Sequence, residues 1–348
     1  MRTPPPPVRV PRHVPLVHLV RDGIVESVHH GSVVVLGPGG DVEFAAGDVE
    51  AACYPRSAFK PVQAAAMLRA GLPLRGGLLA VATASHSGEE QHITAARDIL
   101  RQAGLTEDTL RTPADLPLDP WERSEWIASG RRPRPIVHNC SGKHAAMLLT
   151  SVRRGWSTDD YLDPRHPLQQ AIAETAEELT GESVAGVSTD GCGAPLFAVS
   201  LLGLTRAIGR IGSAPASTGE GLLAEAMVRH PDMVSGTRRD NFGLMRAVPG
   251  LIAKDGFEAV QVAALPDGRA VGVKIADGSD RARMPATAAA LAVCGVDPSL
   301  LTEFAEAPVL GGGRVVGRLR ATGELAAAAE TPSGHGVGRG GRQSSGRR

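Results

Sequence analysis

An α+β fold is what the sequence predicts, with an antiparallel sheet assembled from both ends of the chain and a mainly helical lobe from its middle. Three observations carry that reading. Short β-rich runs cluster between Val14 and Ala45, apolar residues recur at helical spacing through the central region, and a second hairpin pattern returns between Lys254 and Ala276.

Residues 1–13 are proline-rich and basic and are expected to be disordered or polyproline-like. Leu16 to Val20, Ile24 to Val28 and Ser32 to Leu36 read as strands, and Gly37-Pro38-Gly39-Gly40-Asp41 as a turn before another from Val42 to Ala45. Tyr54-Pro55-Arg56 then leads into Ser57-Ala58-Phe59-Lys60, the opening of a helix continued by good helix formers up to Leu68. Leu78 to Ala84 is apolar, and Ser87 with Glu90 has the spacing of a capping box before Ile93, Ala96 and Leu100.

Residues 105–137 are loop-rich. His138-Asn139-Cys140-Ser141-Gly142-Lys143-His144 opens a helix whose buried face is Ala145, Leu148, Leu149 and Val152. Ser188 to Pro195 forms a Gly-rich turn before the apolar run Leu196 to Leu202, so both segments place a cysteine at or next to a helix start. Residues 211–219 resemble a surface linker, and Leu222 to Arg229 and Asn241 to Ala247 read as helices. Leu251 to Gly256 enters a strand from Glu258 to Leu265, Pro266-Asp267-Gly268 turns into Ala270 to Ala276, and a helix from Arg281 to Cys294 covers the hairpin. Beyond Thr331 the chain is Gly, Ser and Arg, expected to be a disordered tail, which leaves 14–330 as one two-lobed domain.

Lys and Arg together number 37, as do Asp and Glu, so the formal charge is zero, which argues against a nucleic-acid or membrane-surface role. No apolar run reaches membrane-spanning length and the first residues lack the apolar core of a signal peptide, so a cytoplasmic location is expected. Four scattered cysteines, Cys53, Cys140, Cys192 and Cys294, point to reduced thiols or a metal instead of a disulfide framework.

The chemistry centres on Ser57 and Lys60. Residues three apart share a face of a helix and eclipse in a 3₁₀ turn, and Pro61 disfavours helical geometry at Lys60, so both geometries are open. Serine needs a partner to take its proton, and a neutral lysine can do so once burial and a second cation lower its pKa. Backbone N–H groups at the helix start would receive an oxyanion. By itself S-x-x-K is a short pattern, and a serine at a helix start is ordinarily an N-cap.

Four motifs in register make the pattern specific. Tyr54 to Lys60, Ser85-His86-Ser87-Gly88-Glu89, His138 to His144 and Ser188 to Pro195 resemble, in that order, the rhizobial-type L-asparaginases, also called the asparaginase II or class 3 family. The resemblance runs from about Val14 to about residue 328. It implies a fold related to serine β-lactamases and glutaminases, with an antiparallel sheet flanked by helices, a mainly helical lobe and the site between them. It also implies two serine–lysine pairs, Ser57 with Lys60 and Ser85 with a distant lysine. Lys254 is favoured over Lys274 for the latter because only Lys254 stands in a K-x-G motif, Lys254-Asp255-Gly256.

The same resemblance implies Zn²⁺ held by Cys140, Lys143 and Cys192, with Asp190 and His138 close by, and a homodimer acting on the small substrate L-asparagine. From spacing alone Cys140 and Cys192 read as ordinary buried cysteines. Glutamine hydrolysis, β-lactam or D-Ala-D-Ala peptide chemistry, a cysteine amidase using Cys140 or Cys192, and a non-enzymatic thiol-metal protein are the competing readings.

Overall fold

The computed structural model describes residues 10–331. Eleven strands are formed among them: β1 (Val14–Arg21), β2 (Ile24–Leu36), β3 (Val42–Ala46), β4 (Ala52–Cys53), β5 (Gly186–Thr189), β6 (Pro195–Ser200), β7 (Ile252–Gly256), β8 (Val260–Ala264), β9 (Ala270–Ile275), β10 (Glu306–Gly311) and β11 (Arg314–Ala321). Eight build one antiparallel sheet in the order β10-β11-β1-β2-β9-β8-β7, with β3 paired to β2, and β4-β6-β5 form a small second sheet. The α+β class and the sheet drawn from both chain ends are as expected, and the helices between β4 and β7 make the second lobe.

Ile24 to Val28 and Ser32 to Leu36 are one strand, not two, because Gly31 continues the ladder. A side chain there would collide with the Lys274 carbonyl, so glycine marks close strand approach instead of a break. The β10–β11 hairpin and the helix Gly323–Glu330 complete the sheet edge and were passed over in the sequence, where Gly311-Gly312-Gly313 supplies the turn.

The N-terminal arm ends earlier than expected. The Asp48 N–H donates to the Arg12 carbonyl and His13 Nδ1 meets Ser32 Oγ at 3.0 Å, which ties Arg12 and His13 to the sheet. The expected disorder of the flanks otherwise falls on 1–9 and 332–348, outside the described residues.

Helices Lys60–Arg69, Gly76–Ala82 and Ser141–Arg154 pack with helix Glu90–Gln102 around a core that includes Val62, Ala65, Leu79, Val81, Ile93, Ala145 and Leu148. Val152 is exposed, so the buried face of the helix Ser141–Arg154 ends one turn earlier than its spacing suggested. Gly142 explains how closely it approaches its neighbour: a side chain at that position would meet the Val81 carbonyl at 2.5 Å. Helices Leu201–Gly212 and Arg283–Val293 lie on the main sheet.

Candidate active site

Ser57 lies in a 3₁₀ turn, Arg56–Phe59, and Lys60 opens the following helix with helical backbone angles despite Pro61. The proline is tolerated because the N–H it lacks would have no intrahelical partner at a helix start. The turn is strained at its entrance, where Arg56 holds φ +51°. Arg56 is fixed there from two sides, by Asp190 Oδ1 2.8 Å from its Nε and by the Phe257 ring 5.7 Å from its guanidinium carbon.

The Lys60 side chain does not bond the serine three residues before it. Its Nζ donates to the Ala84 carbonyl at 2.5 Å and to Ser85 Oγ at 3.1 Å, and among the described residues no hydrogen bond joins it to Ser57. Lys254 meets Ser85 Oγ from the other side, also at 3.1 Å, and Lys274 instead donates to the carbonyls of Glu258 and Ile275. Lys254 stands inside strand β7 and not at the start of a strand as its motif suggested, because the ladder with β8 already begins at Ile252. Ser57, Lys60, Ser85 and Lys254 are all buried.

Ser85 is fixed by its neighbours in sequence. Its N–H donates to the Val234 carbonyl, the His86 N–H to the Asn139 carbonyl, and His86 Nε2 contacts Ser141 Oγ at 2.9 Å. Ser87 is not the expected cap: helix Glu90–Gln102 starts after Glu89, and Ser87 Oγ donates to the Ser235 carbonyl. Ser87 packs tightly against Gly236, where a side chain would strike its hydroxyl.

Burial, and then the neighbouring Lys60, bring the Lys254 amine down to about 8, with Asp255 opposing them. Asp255, which the sequence reading left without a role, accepts from Lys254 Nζ at 2.6 Å and from Arg239 at 2.8 Å. Burial acts to raise its pKa, yet Lys254, Arg239 and Arg283 hold it far below the ordinary carboxylate range.

Cys140 stands immediately before the helix Ser141–Arg154, as expected, without a capping hydrogen bond from its thiol, and Cys192 precedes strand β6, not a helix. The two cysteines nevertheless fall in one buried cluster with Ala194. Lys143 Nζ lies 3.1 Å from Cys192 Sγ, Asp190 Oδ2 3.7 Å from that sulfur, and His138 Nδ1 accepts from the Cys140 N–H. The Cys140 thiol first, then the Lys143 ammonium, favour the Cys192 thiolate against its burial, and that thiolate in turn raises Lys143. Burial holds His138 down at about 4. Among the described residues no three His, Cys, Asp or Glu side chains converge as a metal cluster, so a metal here needs the Lys143 amine as a third donor.

A cavity of about 500 Å³ opens over Ser85, lined by Asp255, Arg239, Phe257 and Glu258 among others. It is large enough for an amino acid. Ser85 thus lies buried between two lysine amines, one of them lowered to about 8.

No curated protein matches the sequence. Among solved structures, Mglu in its native form shares 16% identity with a TM-score of 0.40 over 72% of this chain and 60% of its own, so the chain spans about three fifths of that protein. A Bacillus glutaminase crystallised in 4.3 M NaCl shares 14% identity, with a TM-score of 0.29, over 72% of this chain and 84% of its own. The family model for L-asparaginase II matches residues 17–321, which holds every motif described above, and the chain belongs to that family.

Proposed function

We propose that the protein hydrolyses the side-chain amide of L-asparagine to L-aspartate and ammonia through a serine ester. The observation that carries this reading is Ser85 Oγ held 3.1 Å from two lysine amines at the edge of an amino-acid-sized cavity. Glutamine, one methylene longer, is the nearest competing substrate.

In this scheme Ser57 attacks the amide carbon and its proton ends on the neutral member of the lysine pair. Backbone N–H groups at the start of the 3₁₀ turn receive the oxyanion. Ser85 accepts from Lys60 and Lys254, which fills both of its lone pairs and leaves its O–H to donate elsewhere. That proton goes to the departing nitrogen, so ammonia leaves, and a lysine ammonium restores the hydroxyl. Water then attacks the β-aspartyl ester with the proton path reversed, releasing aspartate and free Ser57.

A second assignment, Ser85 as the attacking oxygen, is favoured by its direct contact with both amines and its place in the cavity lining. Ammonia release from asparagine and glutamine tests the activity, and none from either would defeat it. Mass spectrometry of an acyl-enzyme trapped by rapid acid quench tells the two serines apart by the peptide that carries the added mass.

The two sulfurs and the amine of Cys140, Cys192 and Lys143 fit Zn²⁺, provided Lys143 sheds its proton on binding. The buried His144 faces the Cys192 sulfur and favours its thiolate, the form that binds a metal. Bound there, zinc would supply a fixed positive charge beside Asp190 that orients the substrate, and Cys140, Lys143 and Cys192 would hold it.

A further inference from the structure

We infer that Arg239 and Glu258 are the specificity residues that grip the substrate's α-carboxylate and α-ammonium groups. The inference rests on the proposed amidohydrolase reading and adds to it the residues that recognise the substrate's two α-groups.

Three arginines line the cavity over Ser85. Arg283 spends Nε, Nη1 and Nη2 on Asp280, Gln261 and Asp240 and is buried. Arg238 is committed to Asp119 and Glu122. Arg239 alone makes a single side-chain hydrogen bond among the described residues, from Nη2 to Asp255 Oδ2. The buried carboxylate fixes one edge of the guanidinium plane and leaves Nε and Nη1 for a ligand. A planar fork held on one side in this way is preorganised for a second carboxylate.

The position suits the chemistry. Arg239 is linked to Ser85 by three hydrogen bonds, through Asp255 and Lys254, and both residues line the same cavity.

Glu258 answers the other charge. It lines the same cavity, is exposed, and its carboxylate makes no hydrogen bond or ion pair among the described residues. It also holds φ +64° in the three-residue β7–β8 turn beside Ala259 at φ +51°, left-handed positions that hairpin turns ordinarily give to Asn or Gly. The turn is pinned by the Lys274 amine on the Glu258 carbonyl, so this strained backbone is held in place and presents the carboxylate at the cavity mouth.

Two truncated substrates separate the roles. Succinamate keeps the carboxylate and lacks the amino group; 3-aminopropanamide keeps the amino group and lacks the carboxylate. Arg239→Gln should raise KM for asparagine and succinamate on the order of 10- to 100-fold and change KM for 3-aminopropanamide far less, any fall in kcat being shared by all three substrates. Glu258→Gln should do the reverse. Calorimetric binding of L-aspartate, succinate and β-alanine to the same proteins reports on the site without turnover. Wild-type KM for asparagine in Arg239→Gln would overturn the inference while the amidohydrolase reading stands. Arg239-dependent binding of L-aspartate in a protein that releases no ammonia would do the opposite. An equal rise in KM on all three substrates would reassign Arg239 to holding Asp255.

Discussion

Arg56 Nε and Asp190 Oδ1, 2.8 Å apart, join the residue before Ser57 to the turn that carries Cys192. The link crosses the site, since the other Asp190 oxygen faces the Cys192 sulfur. Arg56 pays for its left-handed backbone through this ion pair and its contact with Phe257, so the thiol turn and the serine turn move as one. Asp190→Asn should therefore cut kcat on the order of 10-fold or more. The pair is partly exposed, so its loss should cost only about 1 kcal/mol of stability. Activity and thermal midpoint measured side by side check this, and a drop in both by matching amounts would show a purely structural role.

Gly256 follows Asp255 and backs directly onto the serine turn. A side chain there would meet the Pro55 carbonyl at 2.5 Å and the Ala58 nitrogen at 2.9 Å, both backbone atoms that cannot swing aside. Gly256→Ala should push the 3₁₀ turn away from β7 and lower kcat by about 100-fold, at a stability cost of about 1–3 kcal/mol. Steady-state kinetics with a denaturation curve decides it. Near-normal kcat would mean that the serine turn does not need its contact with this strand.

The glycine also shows what the sequence could say. K-x-G was legible as a motif, and the lysine it marked is the one that reaches Ser85. Ser57 drew attention through its spacing from Lys60, whereas Ser85, Cys140 and Cys192 stood out only through the family resemblance, the two cysteines reading as ordinary buried thiols by spacing alone. Arg239 and Asp255 did not stand out, because an arginine beside another arginine and an aspartate beside a lysine look like solvated surface until folding buries one of them. The Lys60 contact was also out of reach. Its spacing from Ser57 promised a local pair, and only tertiary packing that brings Ala84 and Ser85 beside it decides where a flexible amine points. In the fold, the error at Gly31 came from treating glycine as punctuation when here it admits a neighbouring strand.

The Lys254 amine sets the expected pH dependence. With its pKa near 8, the neutral form grows as pH rises through that value, and kcat should climb across roughly pH 7 to 9. Stability follows the same direction. A folded-state pKa below the unfolded value of about 10.4 means that the unfolded chain binds more protons between about 8 and 10.4, so this group adds stability as pH rises through that window. Lys254→Met should abolish turnover and flatten that rise in stability. A kcat maximum in acid would exclude a neutral lysine as the base.

Removal of the zinc proposed at Cys140, Lys143 and Cys192 should separate binding from chemistry. Cys140 and Cys192 are buried and share a cluster, yet only the Cys192 sulfur is held as a thiolate, by the Cys140 thiol and the Lys143 ammonium. A metal must displace the protons of Lys143 and Cys140 to bind, and both groups are raised above their ordinary alkaline pKa, so its affinity should rise with pH through the neutral and alkaline range. Cys192→Ala removes the thiolate and leaves the buried Lys143 without its nearest partner, at a cost of about 3 kcal/mol or more. Cys140→Ala leaves that pair intact and is the gentler probe. In Cys140→Ala, zinc content by atomic absorption should fall from about one per chain toward zero. KM for asparagine should rise more than kcat falls, because the serine and lysine side chains that carry the reaction are elsewhere. Full zinc content in both cysteine variants would remove these thiols as ligands and leave Cys192 and Lys143 as a buried ion pair whose work is to hold the Asp190 turn against Arg56.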